Sequence, residues 1–219
     1  YTPHALRIMD PQIGNVMKWF YGAVEYVLGR WRSDAIITVA PRELTEAQHL
    51  GLPAQLLHLV LNGVEANLAV SDVGTGPQRP ELGLSPDDLV YGFIGRLAPQ
   101  KAPDRLIQAF AVVASQAPQA RLVIIGDGPL RAGLETQVAD NELETQVLFL
   151  GARRARHYLP LFDVFVLSSL YEAMPYVLLE ALTAHVPIIA HEVSGTEIAV
   201  EPGVNGVVVP LELGATGLA

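Results

Sequence analysis

Two cations and two carboxylates stand out by type and spacing. Arg96 and Lys101 lie five residues apart in Gly95-Arg96-Leu97-Ala98-Pro99-Gln100-Lys101, between an apolar run and a helical pattern opening at Asp104. Two cations converging with a helix N-terminus make a site for a polyanion. A planar Arg fork and a Lys point charge suit a pyrophosphate. A solvated loop with two surface cations fits the same spacing. Glu172 and Glu180 are separated by seven residues. Carboxylates that cleave a glycosidic bond as acid and base stand about 5–9.5 Å apart. Eight residues of helix rise about 12 Å, so this pair does not share one bond in that way. Glu172 reads as a loop residue and Glu180 as a helix residue, touching different parts of one elongated ligand. Pro175 suits a first helical turn, and the N–H groups of Ala173, Met174 and Tyr176 beside it would face that ligand. Glu180 could instead end a solvated helix face, although Val177, Leu178, Leu179, Ala181 and Leu182 are poor company for an unpartnered carboxylate.

Other loops carry weaker signals. Gly126-Asp127-Gly128-Pro129 reads first as a tight turn with Pro129 opening the next helix. Its glycines would also let a ligand approach the backbone. Ser194, Gly195 and Thr196 form either a helix N-terminus that receives an anion or hydroxyl, or an ordinary capped turn. No dinucleotide-binding glycine fingerprint follows the first regular strand and no Walker lysine motif exists, which argues against a dehydrogenase or an NTPase. His185 and His191 fit no metal-ligand spacing, and no metal is expected.

The elements that must position these residues form an alternating series. Apolar runs at 89–94, 121–125, 147–150, 164–167, 187–190 and 206–209 read as strands. Between them, helical patterns are expected at 104–115, 130–139, 155–161, 176–184 and 197–200, with no obvious helix at the end of the chain. Strands apolar on both faces, alternating with helices, indicate a Rossmann-like α/β fold with a parallel sheet covered on both sides. Ligands bind such sheets beyond the carboxyl ends of the strands, which is where all four key residues fall. Upstream, Val16, Phe20, Val24, Val27 and Leu28 recur at helical spacing within 11–32. Strands are expected at 35–39 and 57–61, with a short helix at 42–49 closed by Gly51. Residues 69–86, rich in Gly, Pro and Ser, read as a linker or long loop.

Composition narrows the class. Half of the 219 residues are hydrophobic and 17% are charged, enough apolar material for a buried core. A formal net charge of −9 argues against nucleic acid as a partner. Lys18 and Lys101 are the only lysines, so Lys101 is not one of many surface cations. There is no Cys for a disulfide or a thiolate metal site. No apolar run approaches the ~20 residues that span a bilayer.

Taken in order, the motifs resemble family 4 of the retaining glycosyltransferases, enzymes of the two-domain GT-B architecture. The resemblance runs from Gly95-Arg96 through Lys101-Ala102-Pro103-Asp104, Gly126 to Pro129, Val147 to Gly151, Asp163 to Ser169 with Glu172 and Glu180, Pro187 to Ala190, Ser194 to Glu197 and Asn205-Gly206 to Pro210. Upstream, Tyr1-Thr2-Pro3-His4, Glu25, Asp34 to Val39 and Asn62-Gly63-Val64 resemble the last part of the acceptor domain. The resemblance implies three parts: residues 1–66 closing the acceptor domain, a linker at 67–86, and a donor-binding domain at 87–219, truncated at its C-terminus.

The resemblance also implies roles. Arg96 and Lys101 would hold the diphosphate and stabilise the leaving group. Glu180 would bind the ribose hydroxyls. Glu172, with the backbone of 173–176, would bind the donor sugar, and His4 would face it across the cleft. Arg153, just after Gly151, would meet the base. Gly95, Gly126, Gly128, Gly151, Ser194, Gly195 and Thr196 would line the donor site. The expected donor is a UDP-sugar or GDP-sugar with no further cofactor. The expected acceptor is a sugar, glycolipid or polysaccharide. The expected setting is cytoplasmic, with peripheral contact at the inner membrane face around 17–21, a stretch that otherwise reads as packed core or interdomain surface. Two other readings stay open: a GT-B sugar-nucleotide epimerase, and a non-catalytic nucleotide-sugar-binding fragment. Ala173 and Ser194 stand where the family usually has Gly, and His185 where a small residue is usual.

Overall fold

Leu122, Val123, Ile124 and Ile125 are apolar toward both faces, and this run becomes a strand with sheet neighbours on either side. The computed structural model describes residues 1–65 and 76–219. Its larger sheet contains β3 (Leu89–Ile94), β4 (Ala120–Ile125), β5 (Val147–Gly151), β6 (Val164–Leu167), β7 (Ile188–His191) and β8 (Gly206–Val209), in the order β5-β4-β3-β6-β7-β8. All five pairings are parallel. The helices are α1 (Asn15–Trp31), α2 (Pro41–His49), α3 (Pro103–Gln116), α4 (Arg131–Asp140), α5 (Tyr176–Thr183), α6 (Thr196–Ala199) and α7 (Gly214–Leu218).

Apolar clusters fill both faces of this sheet. One gathers Phe165, Leu167, Leu178 and Ile188, and the other Phe93, Ile107, Phe110, Leu122 and Ile124. Strand order reverses between β3 and β6, which pair through Tyr91 with Val164 and Gly92 with Phe165. Loops leaving the carboxyl ends of neighbouring strands diverge at such a point and open a crevice. Here the two loops are 95–102 and 168–175.

A second parallel sheet has only β1 (Ile36–Thr38) and β2 (Leu57–Leu59). The terminal amine of Tyr1 donates to Ala35 O, and Tyr1 O accepts from Ile37 N–H. Leu6, Ile36, Ala47 and Leu52 pack beside this sheet.

Several expectations need correction. The apolar positions of α1 do not face the core: Val16, Phe20, Val24, Val27 and Leu28 are all exposed, as are Trp19 at 75% and Trp31 at 76%. The buried residues of α1 are Gly22 and Gly29. A Cβ on Gly29 would fall 2.5 Å from the Leu52 side chain, so the helix lies on its glycine face because that face alone permits this approach. Periodicity identified the apolar stripe but could not say that no described residue would cover it.

Part of the linker expected at 67–86, its residues 67–75, lies outside the described residues. Residues 76–86 are tied to the larger sheet through Arg79 and Leu84. A 3-10 turn at Arg79–Leu82 carries a capping box between Gln78 and Glu81, and Leu84 is buried. Arg79 donates to Leu161 O and to Asp163 Oδ2, contacts made across the fold and unreadable from local composition. The expected helix at 155–161 is two 3-10 turns, Ala155–His157 and Leu159–Leu161, because Pro160 interrupts it. The chain ends in α7, a short helix against α3, where sequence suggested none.

Candidate functional site

Loop 95–102 is braced from beneath by the second glycine loop. Leu97 N–H donates to Asp127 O at 2.9 Å, and Leu130 N–H to Leu97 O at 3.0 Å. A Cβ on Gly126 would fall 1.8 Å from Gly95 O, and one on Gly128 2.5 Å from Leu97 O. Their φ values, +142° and +158°, also disfavour other residues. Support of the first loop therefore accounts for both glycines, and neither lines the main cleft.

The loop ends in a 3-10 turn, Pro99–Lys101, and enters α3 through Ala102 in the left-handed region. Ser168 Oγ donates to Lys101 O at 2.8 Å, and Leu170 N–H to Gln100 O at 2.8 Å. The two switch-point loops are thereby locked together. Across this seam Lys101 Nζ lies 2.5 Å from Glu172 Oε1, with both side chains largely buried. Arg96, by contrast, is exposed, lines no part of the cleft and has no ion-pair partner among the described residues. Of the two cations expected to converge, Lys101 lines the cleft and Arg96 does not.

Above the seam opens a cleft of about 550 Å³, within the range of small-molecule sites. His4, Asn62, Gly95, Lys101, Glu172, Ala173, Met174, Tyr176 and Glu180 contribute to its walls. The N–H groups of Ala173, Met174 and Tyr176 have no acceptor among the described residues. For the buried Ala173 and Met174 such donors call for a partner. Ala173 does not have a positive φ, so the missing glycine costs nothing here. Glu180, in α5, is partly buried, and desolvation holds its pKa above the ordinary 4.5 against the opposing pull of Arg156.

The remaining candidates divide. Gly195, at φ +88°, supports the cleft wall from behind: a Cβ there would lie 2.7 Å from Ala173 O and 2.9 Å from Met174 Cα. Thr196 uses its hydroxyl locally, donating to Val193 O at 2.6 Å. Ser194 lines a second crevice of about 260 Å³, which also touches Lys18, Arg42, Glu46, Tyr171 and Glu172. Gly151 ends β5 with its carbonyl accepting from Gly126 N–H, and Arg153 is exposed; neither lines the cleft. His185, at φ 57°, closes α5 through Val186 N–H to Ala181 O and its own N–H to Leu182 O, a C-terminal turn that usually favours glycine. His191 is fully buried with Nδ1 2.9 Å from Ser168 O. No cluster of three or more metal-ligating side chains occurs among the described residues.

Sequence reasoning assigned no positioning role to three residues: Glu43, Asn62 and Arg7. Glu43 in α2 is fully buried and accepts from Ala5 N–H at 2.7 Å and Val39 N–H at 2.8 Å. It thereby anchors the strained turn at His4 and Ala5, whose φ values are 51° and 91°. A Glu in a first helical turn reads as dipole stabilisation, so no local signal announced this. Asn62 bonds to Met174 O, and Arg7 to the Tyr171 hydroxyl. Burial raises the Tyr171 phenol pKa, with Asp10 adding to the shift and Arg7 opposing it.

Comparison with known proteins now assigns the class. Residues 75–214 match the glycosyl transferases group 1, and the chain belongs to this family. It is 30% identical over 213 residues to an alpha-D-kanosaminyltransferase of Streptomyces kanamyceticus, covering 93% of this chain and 52% of that relative. It is 31% identical over 160 residues to a UDP-Gal:alpha-D-GlcNAc-diphosphoundecaprenol alpha-1,3-galactosyltransferase of Escherichia coli, covering 71% and 41%. Its fold matches Anabaena Alr3699/HepE, solved in complex with UDP and glucose, at a TM-score of 0.83 and 26% identity, covering 99% of this chain and 59% of that one. The chain thus spans 41% to 59% of the length of these relatives. The fold is that of the GT-B glycosyltransferases. No described helix is long and apolar enough to cross a membrane.

Proposed function

We propose that this chain forms the donor-binding half of a retaining glycosyltransferase that moves a sugar from a nucleoside diphosphate to an acceptor hydroxyl in polysaccharide or glycolipid assembly. The observation that carries this reading is one cleft at the switch point holding Lys101, Glu172, the unpartnered N–H groups of Ala173 and Met174, and Glu180. These groups suit successive parts of a nucleotide sugar. Lys101 meets the diphosphate, joined by Arg96 once its exposed side chain swings toward the added negative charge. Glu172 and the 173–174 N–H pair meet sugar hydroxyls. Glu180 accepts from the ribose. Gly151 and Arg153 would lie toward the base, and His4 would face the donor sugar from across the cleft.

Chemistry follows from charge. Breaking the bond to the anomeric carbon places negative charge on the departing diphosphate, and cations already positioned there lower the barrier without reorganising. Attack from the same face, with a phosphate oxygen taking the acceptor proton, needs no protein nucleophile. Holding both substrates in register supplies much of the remaining rate enhancement. The crevice on the other side of Glu172, with Lys18, Arg42 and Glu46 in its walls, offers the acceptor a polar approach.

The test is calorimetric titration with UDP, GDP and ADP of the chain and of its Arg96→Ala, Lys101→Ala double variant. Tight binding of one nucleotide, weakened at least tenfold in the variant, is the expected result, since each charge-assisted contact contributes about 1.5–3 kcal/mol. A chain that binds none of the three would sink the donor-site reading. The anomeric configuration of the product, read by NMR from the full-length protein, tests retention.

A further inference from the structure

Residues 171–176 form a cleft wall that lies almost wholly outside regular secondary structure, and they are fastened from two directions. Loop 95–102 supplies one set of contacts: Gln100 Nε2 donates to Tyr171 O at 3.1 Å, and Lys101 pairs with Glu172. The N-terminal part of the chain supplies the other. Arg7 donates to the Tyr171 hydroxyl, and its guanidinium lies 5.8 Å from the centre of the Tyr171 ring and 5.9 Å from that of Tyr21. Asp10 holds Arg7 from behind at 3.3 Å. At the other end, Asn62 Nδ2 donates to Met174 O at 2.9 Å while its Oδ1 accepts from the Tyr176 hydroxyl at 3.1 Å. Glu172 and the unpartnered N–H groups of Ala173 and Met174 are therefore bracketed by residues 164 and 112 positions away in sequence.

This arrangement divides the site. Gly95, Lys101 and Glu180 stand on the larger sheet and its own loops and need nothing from the N-terminal part. The Asn62 amide gives a hydrogen bond to the Met174 carbonyl and takes one from the Tyr176 hydroxyl, which ties the loop and the start of α5 to one side chain. With Tyr171 held as well, the intervening donors have little freedom to turn. We propose that Arg7 and Asn62 are positioning residues that set the geometry of the 173–174 backbone, Glu172 being held by Lys101, so that reading the donor sugar depends on the docked N-terminal part while holding the nucleotide does not. The proposal rests on the donor-site reading above.

The experiment compares the chain with its Arg7→Ala and Asn62→Ala variants, and with Asn62→Leu, which keeps the shape of the side chain, adds no charge and loses both hydrogen bonds. Each is titrated with UDP and UDP-glucose, and with GDP and GDP-mannose, and hydrogen exchange is followed at 170–176. In the variants, nucleotide affinity stays within about twofold, while the affinity ratio of nucleotide sugar to nucleotide falls about two- to tenfold, the scale of one lost hydrogen bond. Exchange at 170–176 quickens while β3 and β4 stay protected. Unchanged ratios with unchanged exchange overturn the proposal. So does a wild-type chain that binds each nucleotide and its sugar conjugate equally. Equal weakening of nucleotide and nucleotide sugar also overturns it, because that marks a general structural role. A wild-type chain that binds no nucleotide overturns the donor reading itself, a different failure.

Discussion

Lys101 Nζ and Glu172 Oε1 lie 2.5 Å apart across the seam between two loops that are 71 residues apart in sequence. The pair satisfies each partner, so a diphosphate arriving at Lys101 must share or displace the carboxylate. Replacing Glu172 with Gln removes that competitor. UDP affinity is expected to rise severalfold in Glu172→Gln and to fall at least tenfold in Lys101→Ala, measured by calorimetry. A fall in both variants would mean that Glu172 assists the phosphates rather than competing with them.

Gly126→Ala is expected to disturb loop 95–102 from below. A Cβ there meets the Gly95 carbonyl oxygen at 1.8 Å, and that oxygen is backbone, so one loop must move. A loss of about 2–4 kcal/mol in chemical denaturation is expected. Nucleotide affinity should fall with it, although residue 126 lines no part of the cleft.

Glu43→Ala leaves two N–H groups without an acceptor, those of Ala5 and Val39. At about 1–3 kcal/mol for each unsatisfied donor, stability should drop by about 2–6 kcal/mol. Unfolding monitored by circular dichroism measures this loss. Hydrogen exchange should localise the loosening to 1–10 and 36–40, away from β3 to β6.

The pH dependence of donor binding follows from Glu180. Burial raises its pKa in the free protein, so it takes up a proton at higher pH than an ordinary glutamate with its pKa of 4.5. A group shifted in this direction favours folding below its unfolded-state pKa, and that contribution is lost as pH rises through the folded value. Binding runs the opposite way, because ribose hydroxyls donate to the charged form and pull the pKa down. UDP-glucose affinity should therefore weaken on acidification in a range beginning above pH 4.5. Glu180→Gln should lack this limb; its persistence there would assign the effect to another group. The diphosphate diester has no proton of its own that titrates in this range, which makes the conjugate a better probe than UDP.

The legible part of this molecule was the part written locally. Six strands and the helices between them follow from apolar runs and their periods, and parallel order follows from strands apolar on both faces. Lys101, Glu172 and Glu180 were readable because their loops must lie at the carboxyl ends of those strands, and the cleft gathers all three. Arg96 shares Lys101's loop but not its surroundings, and spacing cannot tell a cation facing a cleft from one facing solvent. His4 was suggested by resemblance and by nothing in its own neighbourhood. Glu43, Asn62 and Arg7 were invisible because each acts through a contact that exists only after distant segments meet. The stripe on α1 illustrates the same limit from the other side: its period was readable, and what lies against it was not.

The reversal of strand order between β3 and β6 has a kinetic consequence. β3 can pair with β4 as soon as a short helix has formed between them, but β6 must cross back over β4 and β5 before it reaches its place. Asp163 bonds to Val90 across 73 residues of chain, and the cleft does not exist until that closure is made. Long-range closures of this kind are slow because chain entropy is lost before contacts repay it. The cleft should therefore be among the last features to mature during synthesis. A nucleotide added during refolding would then slow unfolding far more than it speeds folding.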